Sequence, residues 1–163
     1  RALPPMAERR FLSASAASSG CLYVCGGKDG TKPVASAERF SLQRAAWDAL
    51  PPMRYARHGA TAVSAGAGRV AVCGGTGLAG QLLSAAEVFS AALGAWEPLP
   101  QMVQSRSCAA TAVVAGQLYI CGGSDGPSAL SAAERLDVRT GALRALPRML
   151  QPRSCPVGAA IVP

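Results

Sequence analysis

The chain has 163 residues, a net charge of +7, six cysteines, eighteen glycines, twelve prolines and 5% aromatic residues, which fits one modest folded unit. A hydrophobic fraction of 50% excludes a disordered polar tail, and no stretch reaches eighteen uninterrupted apolar residues, so no helix is expected to cross a membrane. The positive charge does not read as a nucleic-acid footprint: only Lys28 and Lys32 are lysine, Arg9-Arg10 is the only adjacent basic pair, and the other cations are scattered.

Arg1 opens onto the proline-rich Ala2-Leu3-Pro4-Pro5, without an initiator Met or a basic-then-apolar leader, as expected of a piece of a longer protein. Residues 10–14 form a weak candidate strand, followed by candidate strands at 35–40 and 45–50. Residues 57–63 lead through Gly66-Ala67-Gly68 into 70–73, the pattern of a hairpin. Candidate strands at 85–89 and 95–99 follow. A second hairpin joins 109–114 to 118–121 through Ala115-Gly116-Gln117, and the last pair, 132–136 and 142–146, is split by Arg139-Thr140-Gly141. Alanine favours helix by intrinsic propensity, but Gly and Pro recur too often for a ten-residue helix to survive.

These strands repeat. Val24-Cys25-Gly26-Gly27, Val72-Cys73-Gly74-Gly75 and Ile120-Cys121-Gly122-Gly123 place their first glycines at 26, 74 and 122, two equal intervals of 48 residues. Glu38, Glu87 and Glu134 follow in phase, and nine residues beyond each stands Trp47, Trp96 or, as an apolar substitute, Leu143. Leu50-Pro51, Leu99-Pro100 and Leu146-Pro147 come next, then Met53, Met102 and Met149, then Arg57, Arg106 and Arg153. The opening Leu3-Pro4-Pro5-Met6 with Arg10 repeats the same phrase. Three repeats are therefore expected at about 7–53, 54–102 and 103–149, with 1–6 the tail of a preceding repeat and 150–163 the first strand of a following one.

The order Arg, small residues, a hairpin turn, Leu-Tyr-(Val or Ile)-Cys-Gly-Gly, a loop, Ala-Glu-(Arg or Val)-(Phe or Leu), Trp and Leu-Pro-x-Met resembles the kelch repeat over nearly the whole chain. The resemblance implies an all-β fold, a kelch β-propeller fragment of about three four-stranded antiparallel blades with partial flanking strands. Departures are the missing Trp and the Leu136 aromatic substitute of the third repeat, and the poor first strand of the first. Propellers have about four to eight blades, so an arc of three is expected to belong to a larger ring or to be completed by another chain.

The glycine pairs Gly26-Gly27, Gly74-Gly75 and Gly122-Gly123 lead from a strand into a variable loop, without a following helix or Gly-Lys-Ser/Thr, so they are expected to serve close backbone approach and not phosphate binding. Glu38, Glu87 and Glu134 recur at one blade position, where radial symmetry keeps them from pairing as acid and base, and are expected to be structural. Trp47 and Trp96 are expected to anchor blade-to-blade packing. Cys25, Cys73 and Cys121, with Cys108 and Cys155, share repeat positions and read as small buried apolar residues; Cys21 and Cys25 form the one close pair, short of the four ligands of a zinc site. Neither metal nor cofactor is expected. Free thiols suit a reducing compartment, cytoplasm or nucleus.

Arg57, Arg106 and Arg153 are expected to enter successive inner strands from one rim of the channel and form an arc of guanidinium groups suited to carboxylates. The competing reading pairs them with the repeat glutamates inside the blades. His58, which fills the slot of Ser107 and Ser154, is a candidate partner contact with those two serines and the arginines, and the loops at 28–34, 76–83 and 124–130 vary between repeats. The resemblance thus implies a protein-interaction module that takes a partner, such as an acidic peptide segment, through the rim, without nucleic-acid or membrane binding and without chemistry of its own. It also suggests the substrate-recognition part of a cullin-type ubiquitin ligase, through a BTB or other domain outside this chain. The alternatives are an actin-binding or scaffolding kelch protein and a kelch-fold enzyme such as a sugar-acid mutarotase.

Overall fold

Regular structure in residues 3–155, the part of the chain that the computed structural model describes, consists of strands alone. The first four are β1 (Ala14–Ser18), β2 (Cys21–Cys25), β3 (Ala37–Ser41) and β4 (Ala46–Leu50). They are followed by β5 (Thr61–Ser64), β6 (Arg69–Cys73), β7 (Ala86–Ser90) and β8 (Ala95–Leu99), and then by β9 (Ala110–Val114), β10 (Gln117–Cys121), β11 (Ala133–Asp137) and β12 (Leu143–Leu146). Each group of four forms its own antiparallel sheet in chain order. Among the described residues no helix is long and apolar enough to cross a membrane.

The turns explain why alanine-rich segments settle into strands. Gly20, Gly68, Gly94, Gly116 and Gly141 hold positive φ at the hairpin corners, a conformation that costs an L-residue about 1–2 kcal/mol. The second strand of each sheet supplies the apolar weight: Tyr23, Val70, Val72, Leu118 and Ile120 are all buried. The register repeats from sheet to sheet, with Phe40 opposite Trp47, Phe89 opposite Trp96 and Leu136 opposite Leu143.

The sheets stack as successive blades with β1 beside β5 and β5 beside β9, so the first strand of each lies innermost. The Thr61 and Thr111 hydroxyls bond across the β5–β9 boundary at 2.7 Å. Apolar residues fill the two spaces between blades. Tyr23, Cys25 and Met53 meet Val70, Val72 and Phe89 between the first and second, and Ala71, Cys73 and Met102 meet Leu118, Ile120 and Leu136 between the second and third. Burial between sheets, rather than within one, is what makes neighbouring repeats depend on each other.

The first strand does not begin at residue 10. It runs from Ala14, because residues 10–13 form an approach segment in which Leu12 takes a φ of 54° and Phe11 bridges Lys28. Residues 57–60 make the equivalent approach before β5, with Gly59 at a φ of 60°. Of the strand expected in 150–163, residues 156–163 lie outside the described part, and Arg153 forms an isolated bridge to Leu130.

Candidate functional site

Two sets of connections meet at one edge of the blades: the loops that follow each glycine pair, and the segments that carry the chain from one blade to the next. Phe11 bridges Lys28, His58 bridges Thr76 and Ser107 bridges Ser124, so three similar backbone junctions lie along this edge. The side chains on them differ, while the scaffold beneath is held constant by the glycines, arginines and glutamates.

The glycine pairs do this by close approach. At Gly26, Gly74 and Gly122 the φ values are 63°, 66° and 66°, and a Cβ would collide with the backbone carbonyl of Arg57, Arg106 or Arg153 respectively. The second glycine of each pair then donates its N–H to that same carbonyl, at 2.8 Å for Gly27 to Arg57, 2.9 Å for Gly75 to Arg106 and 2.8 Å for Gly123 to Arg153.

The arginine side chains turn the other way, into their own blades. Arg57 Nη1 donates to the carbonyls of Gly74 at 2.8 Å and Ala85 at 2.9 Å, and its Nη2 donates to Glu87 at 2.6 Å. Arg106 repeats the pattern with Gly122 at 2.8 Å, Ala132 at 3.0 Å and Glu134. Arg10 does so with Gly26 at 2.9 Å, Ser36 at 3.0 Å and Glu38 at 2.7 Å. The remaining oxygen of each glutamate accepts a backbone N–H from the incoming segment: Ala7 for Glu38, Arg54 for Glu87 and Val103 for Glu134. These buried charges are thus paired and hydrogen-bonded, the condition for tolerating them away from water. Burial by itself would raise the Glu38 carboxyl, but the Ala7 N–H, the Arg10 guanidinium and the Glu8 N–H outweigh it and hold the group below its ordinary value.

This geometry corrects the expectation that Arg57 and Arg106 present a guanidinium arc to a partner. Their relative exposures are 0% and 1%, and their Nη donors are spent on blade carbonyls and glutamates, while Arg57 Nε is buried without a hydrogen-bond partner among the described residues. Arg153 and Ser154 are exposed at the end of the described residues. His58 and Ser107 are half-buried at the edge junctions. Burial, then the nearby positive charge of Lys28, hold His58 below its ordinary pKa, and its enclosed Nδ1 has no hydrogen-bond partner among the described residues.

The loops add exposed groups to this edge. Asp29 organises the first one by accepting from the Lys32 N–H at 3.0 Å and from the Thr31 N–H and hydroxyl at 2.9 Å each, and these bonds lower its carboxyl to about 2. Lys32 is left exposed at the tip, as is Leu78 in the second loop. In the third loop Asp125 accepts the Ser128 N–H at 3.0 Å.

Trp47 and Trp96 stack in a tilted manner on Phe40 and Phe89, with centroids 5.3 and 5.4 Å apart, and their indole N–H groups donate to the carbonyls of Pro4 and Pro51. Each proline belongs to the segment leaving the preceding repeat, so the tryptophan ties that segment down. Cys25 and Cys73 are buried, which pushes both thiols up to about 12, whereas Cys108 and Cys121 are half-buried and Cys155 exposed, a correction to the expectation that these three are buried in the core. Among the described residues no cluster of three or more His, Cys, Asp or Glu side chains could hold a metal ion.

Sequence reasoning missed the role of the arginine carbonyls, which no side-chain pattern encodes, although the coincidence of Arg and Gly-Gly periods was a usable signal. Comparison with known proteins matches this frame. The family model described as the Kelch motif matches residues 9–54 and 105–150. Among solved structures, the one titled "Structure of YjhT" superposes with a TM-score of 0.76 at 16% sequence identity, covering 88% of this chain and 53% of that one. The chain therefore spans about half the length of that structure, a likeness of fold. No curated protein matches the chain. Because the two matched segments together exceed half of its length, and because all three blades are built on one Arg, Gly-Gly and Glu frame, the chain belongs to the kelch-repeat family.

Proposed function

We propose that this kelch chain is a protein-interaction module whose binding face is the blade edge formed by residues 28–34, 76–83 and 124–130 together with His58, Ser107, Arg153 and Ser154. Kelch repeats often mediate protein interaction. The observation that carries the assignment to this edge is the trio of equivalent backbone bridges, Phe11 to Lys28, His58 to Thr76 and Ser107 to Ser124. They hold unlike side chains on like scaffolding, the arrangement by which a repeat protein sets specificity.

The exposed Lys32, with Lys28 on the same loop, favours a partner segment carrying carboxylates. The cullin-ligase reading and a cytoplasmic or nuclear location extend this proposal. The first requires a cullin-binding domain outside residues 1–163, and the second rests on the free thiols.

The test is affinity capture from cell extract, using the protein in its native full-length context beside a Lys28→Glu, Lys32→Glu, His58→Ala variant with unchanged thermal unfolding. Specific partners retained by the parent and lost by the variant support the binding face, and a cullin among them supports the ligase reading. Identical capture by both proteins overturns the assignment to this edge.

A further inference from the structure

The inner end of each approach segment carries one residue in a left-handed conformation: Leu12 at a φ of 54°, Gly59 at 60°, Cys108 at 52° and Cys155 at 53°. These four occupy one repeat position, and their backbones are linked blade to blade. Gly59 donates its N–H to Leu12 at 2.9 Å, Cys108 to Gly59 at 2.7 Å and Cys155 to Cys108 at 2.9 Å. A chain of hydrogen bonds therefore runs across the inner ends of the blades, and its last two members are both cysteine.

The spacing suits a covalent bond. The Cys155 N–H bonded to the Cys108 carbonyl at 2.9 Å makes the two backbones immediate neighbours, and a disulfide spans Cα atoms roughly 4.4–6.8 Å apart. One side chain has to turn. A Cβ placed on Gly59 would lie 3.4 Å from Cys108 Sγ, so that sulfur faces the preceding member and must rotate about χ1 to meet Cys155. By the same repeat geometry Cys155 Sγ reaches toward Cys108. The other thiols sit on strands: Cys25 and Cys73 are buried at strand ends on separate blades, and Cys21 and Cys121 are half-buried at the start of β2 and the end of β10.

We propose that Cys108 and Cys155 form a reversible disulfide site that fastens the inner end of the third blade to the segment that follows it, with a low-molecular-weight disulfide such as oxidised glutathione as the oxidant. Exposed Cys155 reacts first. Its thiol loses a proton to water, and the thiolate attacks one sulfur of oxidised glutathione, forming a mixed disulfide and releasing one glutathione thiolate. Cys108 then loses its proton and attacks the Cys155 sulfur, forming the Cys108–Cys155 bond and releasing the second glutathione. Two protein thiols are oxidised and one small disulfide is reduced to two thiols, so electrons and protons balance. Half-burial holds back the Cys108 thiolate, with its Cys155 neighbour acting in the same direction, which suits Cys108 to the second, intramolecular step.

The test incubates the full chain in buffers of rising oxidised-to-reduced glutathione ratio, traps free thiols by alkylation, digests with trypsin and maps linked peptides. Trypsin separates Cys155, in 154–163, from Cys108, in 107–135, and fragment ions distinguish Cys108 from Cys121 in the latter peptide. The expected result is a Cys108–Cys155 link that half-forms at a ratio at least about tenfold lower in the folded chain than in urea, the signature of pre-set proximity. Cys155→Ser should abolish the link and leave Cys108 unmodified, whereas Cys108→Ser should leave Cys155 as a stable glutathione mixed disulfide. A folded chain that stops at the mixed disulfide on Cys155, links either cysteine elsewhere, or forms the bond no more readily than in urea overturns the proposal.

Discussion

Arg57 and Glu87 form a fully buried ion pair at 2.6 Å inside the second blade, while the carbonyl of the same arginine accepts the Gly27 N–H of the first blade at 2.8 Å. One residue thereby joins two blades, through its side chain on one side and its backbone on the other. The chain does not follow a strand-by-strand logic here: the residue between two sheets belongs to both.

Arg57→Ala should destabilise the chain by about 3–5 kcal/mol, because it leaves the Glu87 carboxylate buried without its cation. Arg153→Ala should change stability by no more than about 0.5 kcal/mol, since that side chain is exposed. An Arg57→Met, Glu87→Met double variant should recover only part of the loss, because the Gly74 and Ala85 carbonyls also lose their donor. Urea unfolding of the three variants measures the order, and equal losses for Arg57→Ala and Arg153→Ala would show that the buried pair has no special weight.

Gly74→Ala and Gly20→Ala separate collision from backbone strain. Both glycines have a φ near 70°, at 66° and 70°, but a Cβ at Gly20 meets nothing within 4 Å, whereas one at Gly74 meets the Arg106 carbonyl. The Gly20 variant should lose about 1 kcal/mol and the Gly74 variant at least about 3 kcal/mol. Thermal unfolding of the pair checks the difference.

Trp96→Phe keeps a ring against Phe89 but removes the indole donor that holds the Pro51 carbonyl at 2.8 Å. A loss of about 1 kcal/mol is expected, accompanied by faster amide exchange in residues 53–56, which that bond helps to hold in place. Unchanged exchange there would assign the tryptophan to packing alone.

Acid should loosen the chain through its depressed carboxylates. The Thr140 N–H, the Gln117 amide and the Arg139 N–H lower Asp137 from 3.8 to about 2, and Asp29 is lowered likewise by its loop donors. A carboxyl with a lower pKa folded than unfolded binds more protons when unfolded. Its stabilisation is therefore complete above about pH 4 and is lost as pH falls toward 2. Asp137→Asn should flatten the stability profile across that window, and a profile with the parent slope would count against this contribution. Histidine acts in the same sense at higher pH. His58, held below its ordinary value by burial and then by Lys28, favours the neutral ring, so its stabilisation is present above the unfolded pKa of about 6.5 and declines as pH falls through the lower folded value.

The blade pattern was legible in the sequence because its signals are side chains at fixed intervals. Gly-Gly, Glu, Trp and Leu-Pro-x-Met recur in phase, and β3, β4 and β6 to β12 fall within about two residues of where the pattern puts them, whereas β5 starts four residues later than expected. The arginines were legible as a series but not as an orientation: spacing places Arg57 and Arg106 at one blade end without telling a channel-facing guanidinium from one folded back onto its blade. The sequence left both open, and the structure shows the second. The left-handed backbone at Leu12, Cys108 and Cys155 was less visible still, since only Gly59 of that series has the residue type that advertises such a conformation.

The Arg–Glu frame also marks where the chain can change length. The paired residues are 28 apart in the first and third blades and 30 apart in the second, and the arginine reaches its first glycine carbonyl across 16, 17 and 16 residues in turn. One extra residue of the second blade thus lies before Gly74, in the stretch that includes the wider turn at Ala65–Gly68, and the other lies between Gly74 and Glu87, in the stretch that includes the 76–83 loop. Both insertions were absorbed without altering the ion pair. New sequence grafted into the corresponding stretches of the first and third blades, 28–34 and 124–130, should be accepted on the same terms, which makes the frame a fixed chassis for exchangeable loops.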